Sequence, residues 1–144
     1  MVKMTTKGRY GIKLMVDLAV GYREQMPLSL KSIAQHNGLS DKYLEQIIKN
    51  LIGEGLVRSS RGKQGGYRLS RDPKEITAGE ILRATEGELV PSACGGDGIH
   101  CGGAELCATL GVLDRIKKAV DDVVDAIPLS DLAEEYIEKQ LTLN

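Results

Sequence analysis

The sequence contains no tryptophan and no phenylalanine, and tyrosine is its only aromatic residue, with five copies. Any hydrophobic core is therefore expected to be aliphatic. The chain also lacks a run of about 18 consecutive apolar residues, the length that marks a membrane-spanning helix. Its first residues, MVKMTTKGRYG, do not form the apolar segment of a secretory signal, so we expect a cytoplasmic protein with no membrane partner.

Residues suited to catalysis are also scarce. The chain has two histidines, no phosphate-binding motif and no recognisable pairing of a nucleophile with a base. We therefore predict that the protein is not an enzyme. Its 144 residues correspond to one domain of ordinary size, or to a small domain with an appendage.

Charge is balanced overall but divided along the chain. Residues 1–75 carry 14 Lys and Arg against 7 Asp and Glu, whereas residues 76–144 carry 5 against 13. A basic half joined to an acidic half indicates that the first half contacts a polyanion, although an uneven scatter of solvated surface charge would give the same count.

Two short helices with a tight turn between them are predicted within residues 29–54. Ser29 and Ser40 are candidate N-caps, and Asn37-Gly38 tolerates the positive backbone angles of a turn. The second helix has an apolar stripe of Leu44, Ile47, Ile48 and Leu51. This pattern is typical of a helix-turn-helix.

The following stretch, LVRSSRGKQGGYRLS, predicts two short strands joined by a basic, glycine-rich loop. A helix-turn-helix followed by such a hairpin is a winged helix. We therefore predict a mainly α fold with a small β-wing, in which residues 1–75 form a winged helix-turn-helix DNA-binding region.

Six polar residues of this region are candidates for DNA contact. On the second helix of the motif, Gln suits adenine, Glu suits cytosine, and Lys suits guanine or phosphate. An arginine at a glycine-rich wing tip suits the minor groove or its phosphates. The candidates are Lys42, Glu45, Gln46 and Lys49 on the helix, and Arg61 and Lys63 in the wing. A solvated helix face and a basic hairpin tip without DNA are the alternatives.

The acidic half, residues 76–144, is predicted to pack as one domain. Thr77 and Glu80 have the spacing of a capping box, and Ser130 is a candidate N-cap for the last helix. Between these helices lies a longer one with an apolar stripe at heptad spacing, which ends before Pro128. The stripe consists of Leu113, Ile116, Val120, Val123 and Ile127.

All three cysteines lie in one glycine-rich loop, residues 92–108, with the sequence CGGDGIHCGGAELC at its centre. An odd number of thiols in a reducing compartment argues against a disulfide framework. Glycines allow tight turns that direct the three sulfurs to one centre, and soft thiolates favour zinc or an iron–sulfur cluster. The candidate ligands are Cys94, Cys101 and Cys107, and a loop without metal is the alternative.

The chain resembles the IscR-type winged-helix regulators, the relatives of IscR, CymR and NsrR. The resemblance runs from TKGRYG through SIAQHNGLSDKYLEQI, GLVRSSRGKQGGYRLSRDP and ITAGEILRATEG to the cysteines and the final helices. The combination of YLEQ with RG…GGY is its most specific part. It implies a repressor that binds a palindromic DNA operator as a homodimer built on a long helix. Glu45 and Gln46 in YLEQ and Arg61 in RG…GGY would be the residues that read the grooves.

The same resemblance favours an iron–sulfur cluster over zinc, because IscR-like members hold one with three cysteines at this place; 2Fe-2S is preferred and 4Fe-4S is the alternative. The fourth ligand stays open. Leu110 stands where IscR-type chains have a histidine, and Arg9 where NsrR-like chains use a carboxylate. His100 is the tentative fourth ligand, with Asp97, Glu105, a water or a small thiol as alternatives.

Two functions follow from these features. In the first, a cluster on the Cys94/Cys101/Cys107 loop controls DNA binding and makes the protein a redox-sensitive transcriptional regulator. In the second, the protein is a CymR-like regulator of cysteine and sulfur metabolism that acts through a protein partner, and its thiols form a zinc or redox site.

Overall fold

The protein is mainly helical, with one two-stranded sheet. The computed structural model describes residues 4–63, 65–90 and 108–143. Its helices are α1 Thr6–Tyr22, α2 Leu30–Asn37, α3 Asp41–Gly53, α4 Ala78–Glu86, α5 Ala108–Asp125 and α6 Leu129–Leu143, its strands are β1 Val57–Ser60 and β2 Gly66–Leu69, and Pro73–Glu75 forms a 3-10 turn. The predicted fold class, a winged helix-turn-helix with a long helix after it, is confirmed. Within the described ranges, no helix is long and apolar enough to cross a membrane.

Side-chain caps fix several helix starts where the sequence places them. Ser29 accepts a hydrogen bond from the backbone N–H of Ser32 at 3.1 Å, and Ser40 accepts one from Tyr43 at 3.3 Å. Thr77 and Glu80 form the reciprocal capping box. The prediction for Ser130 was wrong, because α6 begins one residue earlier at Leu129, directly after Pro128 pairs with Thr77.

The core is aliphatic, as the lack of Phe and Trp requires. Leu14 and Met15 of α1 pack with the apolar stripe of α3, and Ile76 and Leu129 from the acidic half join the same cluster. The side chains with almost no exposure are Leu14, Met15, Ile33, Leu44, Ile47, Ile48, Leu51, Leu56, Ile76, Ile81, Val90 and Leu129. The boundary at residue 75 therefore divides charge but does not divide the hydrophobic core.

The wing is tied to the chain that precedes α2. Strands β1 and β2 pair antiparallel, and Leu28 adds a further bridge to Tyr67, with N···O distances of 2.9 and 2.8 Å. Gly66 permits this bridge, because its φ is +155° and a Cβ there would lie 2.5 Å from the carbonyl oxygen of Leu28. The hairpin is therefore fixed relative to the helix-turn-helix.

Helix α5 is attached to α4 through charged groups. Arg83 contacts Asp125 at 2.7 Å and Asp121 at 2.9 Å, and Lys117 also contacts Asp121 at 2.9 Å. Hydrogen bonds from Arg83 and Lys117 hold the pKa of Asp121 below its ordinary value. No residue of α5 is fully buried, so its apolar stripe does not belong to the core of this chain.

Helices α1 and α4 approach each other closely at two glycines of α1. A Cβ at Gly11 would lie 2.7 Å from Cγ2 of Thr85, and a Cβ at Gly8 would lie 2.5 Å from a carboxylate oxygen of Glu86. The carboxylate of Glu86 fills the space above Gly8. It accepts hydrogen bonds of 2.8 Å from the backbone N–H groups of Thr5 and Gly8, and so caps the start of α1.

These contacts change the acidity of Glu86. Burial alone raises its pKa, but the hydrogen bonds from Thr5 and Gly8 and the nearby charge of Lys7 outweigh burial and leave the pKa below its ordinary value. Because the folded-state pKa is depressed, ionised Glu86 stabilises the protein above the unfolded-state pKa, and this stabilisation is lost as pH falls through the folded-state value.

We predict that Glu86→Gln lowers the free energy of unfolding at pH 7 by about 0.5–1 kcal/mol, the range for a partly exposed anion at a helix start. The difference from wild type should shrink at acidic pH, as wild-type Glu86 itself takes up a proton below the ordinary range of a glutamate. Urea unfolding at pH 7 and at acidic pH measures it, and Glu24→Gln, at an exposed site, is the control. A destabilisation that is equal at both pH values would contradict the capping role.

Candidate nucleic-acid interface

Helix α3 has one buried face and one exposed polar face. Leu44, Ile47, Ile48 and Leu51 are buried, as the spacing predicts. The four DNA candidates of this helix, Lys42, Glu45, Gln46 and Lys49, are all exposed. Within the described part of the chain, none of these four side chains forms an ion pair. The exposed face is therefore available to a ligand.

The orientation of α3 is set at its first turn. Gly38 has a φ of +65°, which ends α2 and directs the chain into the turn before Ser40. Tyr43 then packs edge-on against Tyr10 of α1, with 6.2 Å between ring centroids. The ammonium of Lys13 lies 5.2 Å from the centre of the Tyr10 ring. The Tyr10–Tyr43 contact holds the start of α3 against α1, while the polar face of α3 stays in solvent.

The wing presents its two basic candidates on the loop between the strands. Arg61 and Lys63 are exposed, and the loop turns through a hydrogen bond of 2.9 Å from the N–H of Gly65 to the carbonyl of Gly62. A groove of about 830 Å³ separates these two residues from the start of α2, where Ser29 and Ser32 line the opposite wall. The wing and the helix-turn-helix thus share one open, basic groove.

Not every arginine near the wing is free. Arg71 contacts Glu80 at 2.5 Å and also donates to the carbonyl oxygen of Glu75 at 3.3 Å. Its charge is therefore used to join the wing to the start of α4. Arg71 closely follows the second strand in the sequence, but its acidic partner Glu80 lies in α4 and cannot be read from neighbouring residues.

His36 lies at the end of α2, within a chain of polar contacts to α1 and α6. One ring nitrogen is 3.1 Å from Oδ2 of Asp17 and the other is 3.1 Å from the hydroxyl of Tyr136. Asn37 donates to the same Asp17 oxygen at 2.8 Å. His36 of α2 is therefore joined to both α1 and α6.

The cysteine loop lies outside the described residues. Cys94, Cys101, Cys107, His100, Asp97 and Glu105 all fall in residues 91–107, so their candidate roles as ligands stay predictions. The two positions that lack the family ligands are described: Arg9 is exposed on α1, and Leu110 lies in the first turn of α5. Elsewhere in the described chain, no three His, Cys, Asp or Glu side chains are grouped to hold a metal.

Comparison with known proteins agrees with the winged helix. Residues 4–135 match the Rrf2 family, described as iron-dependent transcriptional regulators. The chain belongs to the Rrf2 family. It is 46% identical over 132 residues to the HTH-type transcriptional regulator CymR of Bacillus subtilis, which covers 92% of this chain and 90% of the relative. It is 34% identical over 134 residues to IscR of Vibrio campbellii, covering 93% and 79%.

Solved structures of Rrf2 relatives share this fold. CymR of B. subtilis, described as the global cysteine regulator, matches with a TM-score of 0.74 and 45% identity over 94% of this chain and 98% of that one. IscR of T. potens matches with a TM-score of 0.77 and 42% identity over 96% and 91%. With the exposed α3 face and the basic wing, this membership makes the protein a DNA-binding transcriptional regulator.

Proposed function

We propose that the protein represses transcription by binding a palindromic DNA operator as a homodimer. The observation that carries this proposal is the polar face of α3, whose four candidate side chains are exposed beside a basic wing. Gln46 suits an adenine edge, and Glu45 suits the amino group of cytosine. Because an acid is repelled by phosphate, Glu45 adds selectivity rather than affinity. Lys42 and Lys49 take guanine or phosphate.

The wing adds a second contact in this proposal. Arg61 is exposed on a loop that contains Gly62 and Gly65, and an arginine on such a tip fits a narrow minor groove. Lys63, two residues further along the loop, neutralises phosphate.

We predict that Arg61→Ala weakens operator binding by about 1–3 kcal/mol, the usual cost of losing a groove-reading arginine. Fluorescence anisotropy with a duplex that the wild-type protein selects from a random pool measures the change. Arg23→Ala is the control, because Arg23 is equally a surface arginine but pairs with Glu134 of α6 at 3.6 Å. Equal affinities for wild type and Arg61→Ala would contradict the contact.

The dimer part of the proposal is supported by the outer face of α5. Arg83 and Glu88 hold the side of α5 that carries Lys117 and Asp121, whereas the apolar stripe turns away from them. Ile116 is 43% exposed and Val123 is 60% exposed. Leu113, Val120 and Ile127 are only partly buried, and Ile127 lies just beyond the end of the helix. A second copy of α5 would remove this continuous apolar surface from water.

We predict that Val123→Glu converts the dimer to monomer at micromolar concentration, because the carboxylate would be buried without a charged partner between the two copies of α5. Sedimentation velocity measures the change. Lys118→Glu is the control, since Lys118 is exposed on another side of the same helix and pairs with Asp122. An unchanged dimer for Val123→Glu would mean that the stripe has another use.

We further infer that Cys94, Cys101 and Cys107 hold an iron–sulfur cluster whose presence controls DNA binding, with 2Fe-2S favoured over 4Fe-4S. Three thiolates suit such a cluster, and the family description names iron. The position of the loop supports control, because it leaves the buried Val90 and enters the first residue of α5. A bound cluster would supply a centre that oxidants can destroy, and His100 is the tentative fourth ligand.

A second candidate function is favoured by the CymR relatives, one of which is described as the global cysteine regulator. In this alternative the protein regulates sulfur metabolism through a protein partner, and its thiols form a zinc or redox site. Anaerobic purification separates the two functions, since a cluster gives a brown protein with acid-labile sulfide and the alternative gives a colourless one.

We predict that replacing Cys94, Cys101 or Cys107 by Ala removes most of the iron and sulfide and leaves the thermal unfolding midpoint within a few degrees of wild type. The fold should survive because its described core is built from aliphatic side chains of the helices and the wing. Operator affinity of each variant should match that of cluster-free wild type and differ from that of the loaded protein. If all three variants bind like loaded wild type, the cluster does not control DNA binding.

A further inference from the structure

Two arginines face each other across the wing. The register of the hairpin pairs Arg58 of β1 directly with Arg68 of β2, and both side chains are exposed. Like charges at directly opposite positions destabilise an antiparallel pair. Among the described residues, neither arginine has an acidic side chain within ion-pair distance. The pair is therefore a concentration of positive charge without a described counter-charge.

These arginines form one wall of a cleft, and the end of α1 forms the other. The cleft has a volume of about 300 Å³, within the range of small-molecule sites. The buried side chains of Leu18 and Leu69 line it, so part of its surface is apolar. Ser70 is a further polar side chain in the lining.

The connector after α1 lines the same cleft and has two unusual features. Gln25 has a φ of +54°, in the left-handed region that residues other than glycine seldom adopt, and it is the only such residue in the described ranges. Backbone strain of this kind concentrates at ligand sites. Beside it, Met26 is 63% exposed and Tyr22 is 38% exposed. The cleft therefore combines backbone strain, exposed apolar surface and two directly opposed arginines.

We propose that this cleft binds a small organic anion, in which a phosphate or carboxylate group lies between Arg58 and Arg68 and a compact apolar part contacts Met26 and Tyr22. Guanidinium groups bind both kinds of oxyanion through charge-assisted hydrogen bonds. An anion there offsets the repulsion between the two arginines, and the apolar part removes exposed methionine and tyrosine surface from water. The offset of charge repulsion and the burial of apolar surface are both available without bound DNA.

The site also bears on DNA binding, and this consequence rests on the proposed function. Strands β1 and β2 carry the loop with Arg61 and Lys63, so a bound anion reduces the positive charge of the wing. The anion is therefore an effector that lowers operator affinity. By linkage, DNA lowers the affinity of the anion by the same factor.

Calorimetric titration of the full-length, DNA-free protein tests the site. Phenyl phosphate and benzoate supply two oxyanions on one apolar body, inorganic phosphate lacks the body, and benzyl alcohol lacks the charge. We expect one or both aryl anions to bind with a dissociation constant of about 1 mM or lower, and the other two probes to bind at least about tenfold more weakly. Arg58→Gln and Arg68→Gln should each weaken aryl-anion binding by about tenfold or more. Arg23→Gln, outside the cleft, should not weaken it.

Three results would overturn the site. The first is that neither aryl anion binds. The second is that Arg23→Gln weakens aryl-anion binding as much as the Arg58 and Arg68 variants do. The third is that inorganic phosphate binds as tightly as phenyl phosphate. If aryl anions do not bind while Arg58→Gln and Arg68→Gln weaken operator binding, the arginines contact DNA phosphates and the proposal is wrong.

The effector role is tested by measuring operator affinity in saturating aryl anion. The reference measurement uses sodium chloride at the same ionic strength. We expect the anion to lower the operator affinity of the wild-type protein by about three- to tenfold and to leave the operator affinity of Arg58→Gln unchanged. An unchanged wild-type affinity rejects the effector role. The calorimetric result still decides the site if the protein fails to bind DNA at all.

Discussion

The contact between α1 and α4 depends on the absence of two side chains, at Gly8 and Gly11. A methyl group at either position would meet Glu86 or Thr85 at a distance that atoms do not adopt without moving. Because those positions are glycine, the carboxylate of Glu86 reaches the unpaired N–H groups at the start of α1. Helix α1 in turn carries Leu14 and Met15 into the core beneath α3. The close α1–α4 contact thus joins the helix that supports the DNA-binding motif to the acidic half.

The two halves use their charge in different ways. In the acidic half, Asp121 and Asp125 pair with Arg83, so part of the negative charge serves to attach α5 to α4. In the basic half, the described cations of α3 and of the wing tip have no acidic partner. Paired charge contributes little to an external field, whereas unpaired charge of one sign attracts a polyanion. The net charge of −1 therefore conceals a surface suited to DNA.

Local signals in the sequence predicted most of the fold. Caps at Ser29, Ser40 and Thr77 each act over three residues, and the α3 stripe follows helical spacing, so both can be read from neighbouring residues. The features that escaped prediction depend on distant partners. Glu86 caps α1 across 81 positions, Arg71 is removed from the wing surface by Glu80, and the start of α6 follows a bridge between Thr77 and Pro128. The opposition of Arg58 and Arg68 needs the hairpin register, which the strand pattern alone does not determine.

The central claim is that DNA lies against the polar face of α3 and the tip of the wing. Amide hydrogen exchange of the protein, with and without a duplex selected from a random pool, tests it most directly. The account predicts that DNA adds protection within residues 41–53 and 57–69, and little on α6, which packs mainly against α1 and the 3-10 turn. Protection confined to α5 and α6, with none in α3 or the wing, would contradict the account.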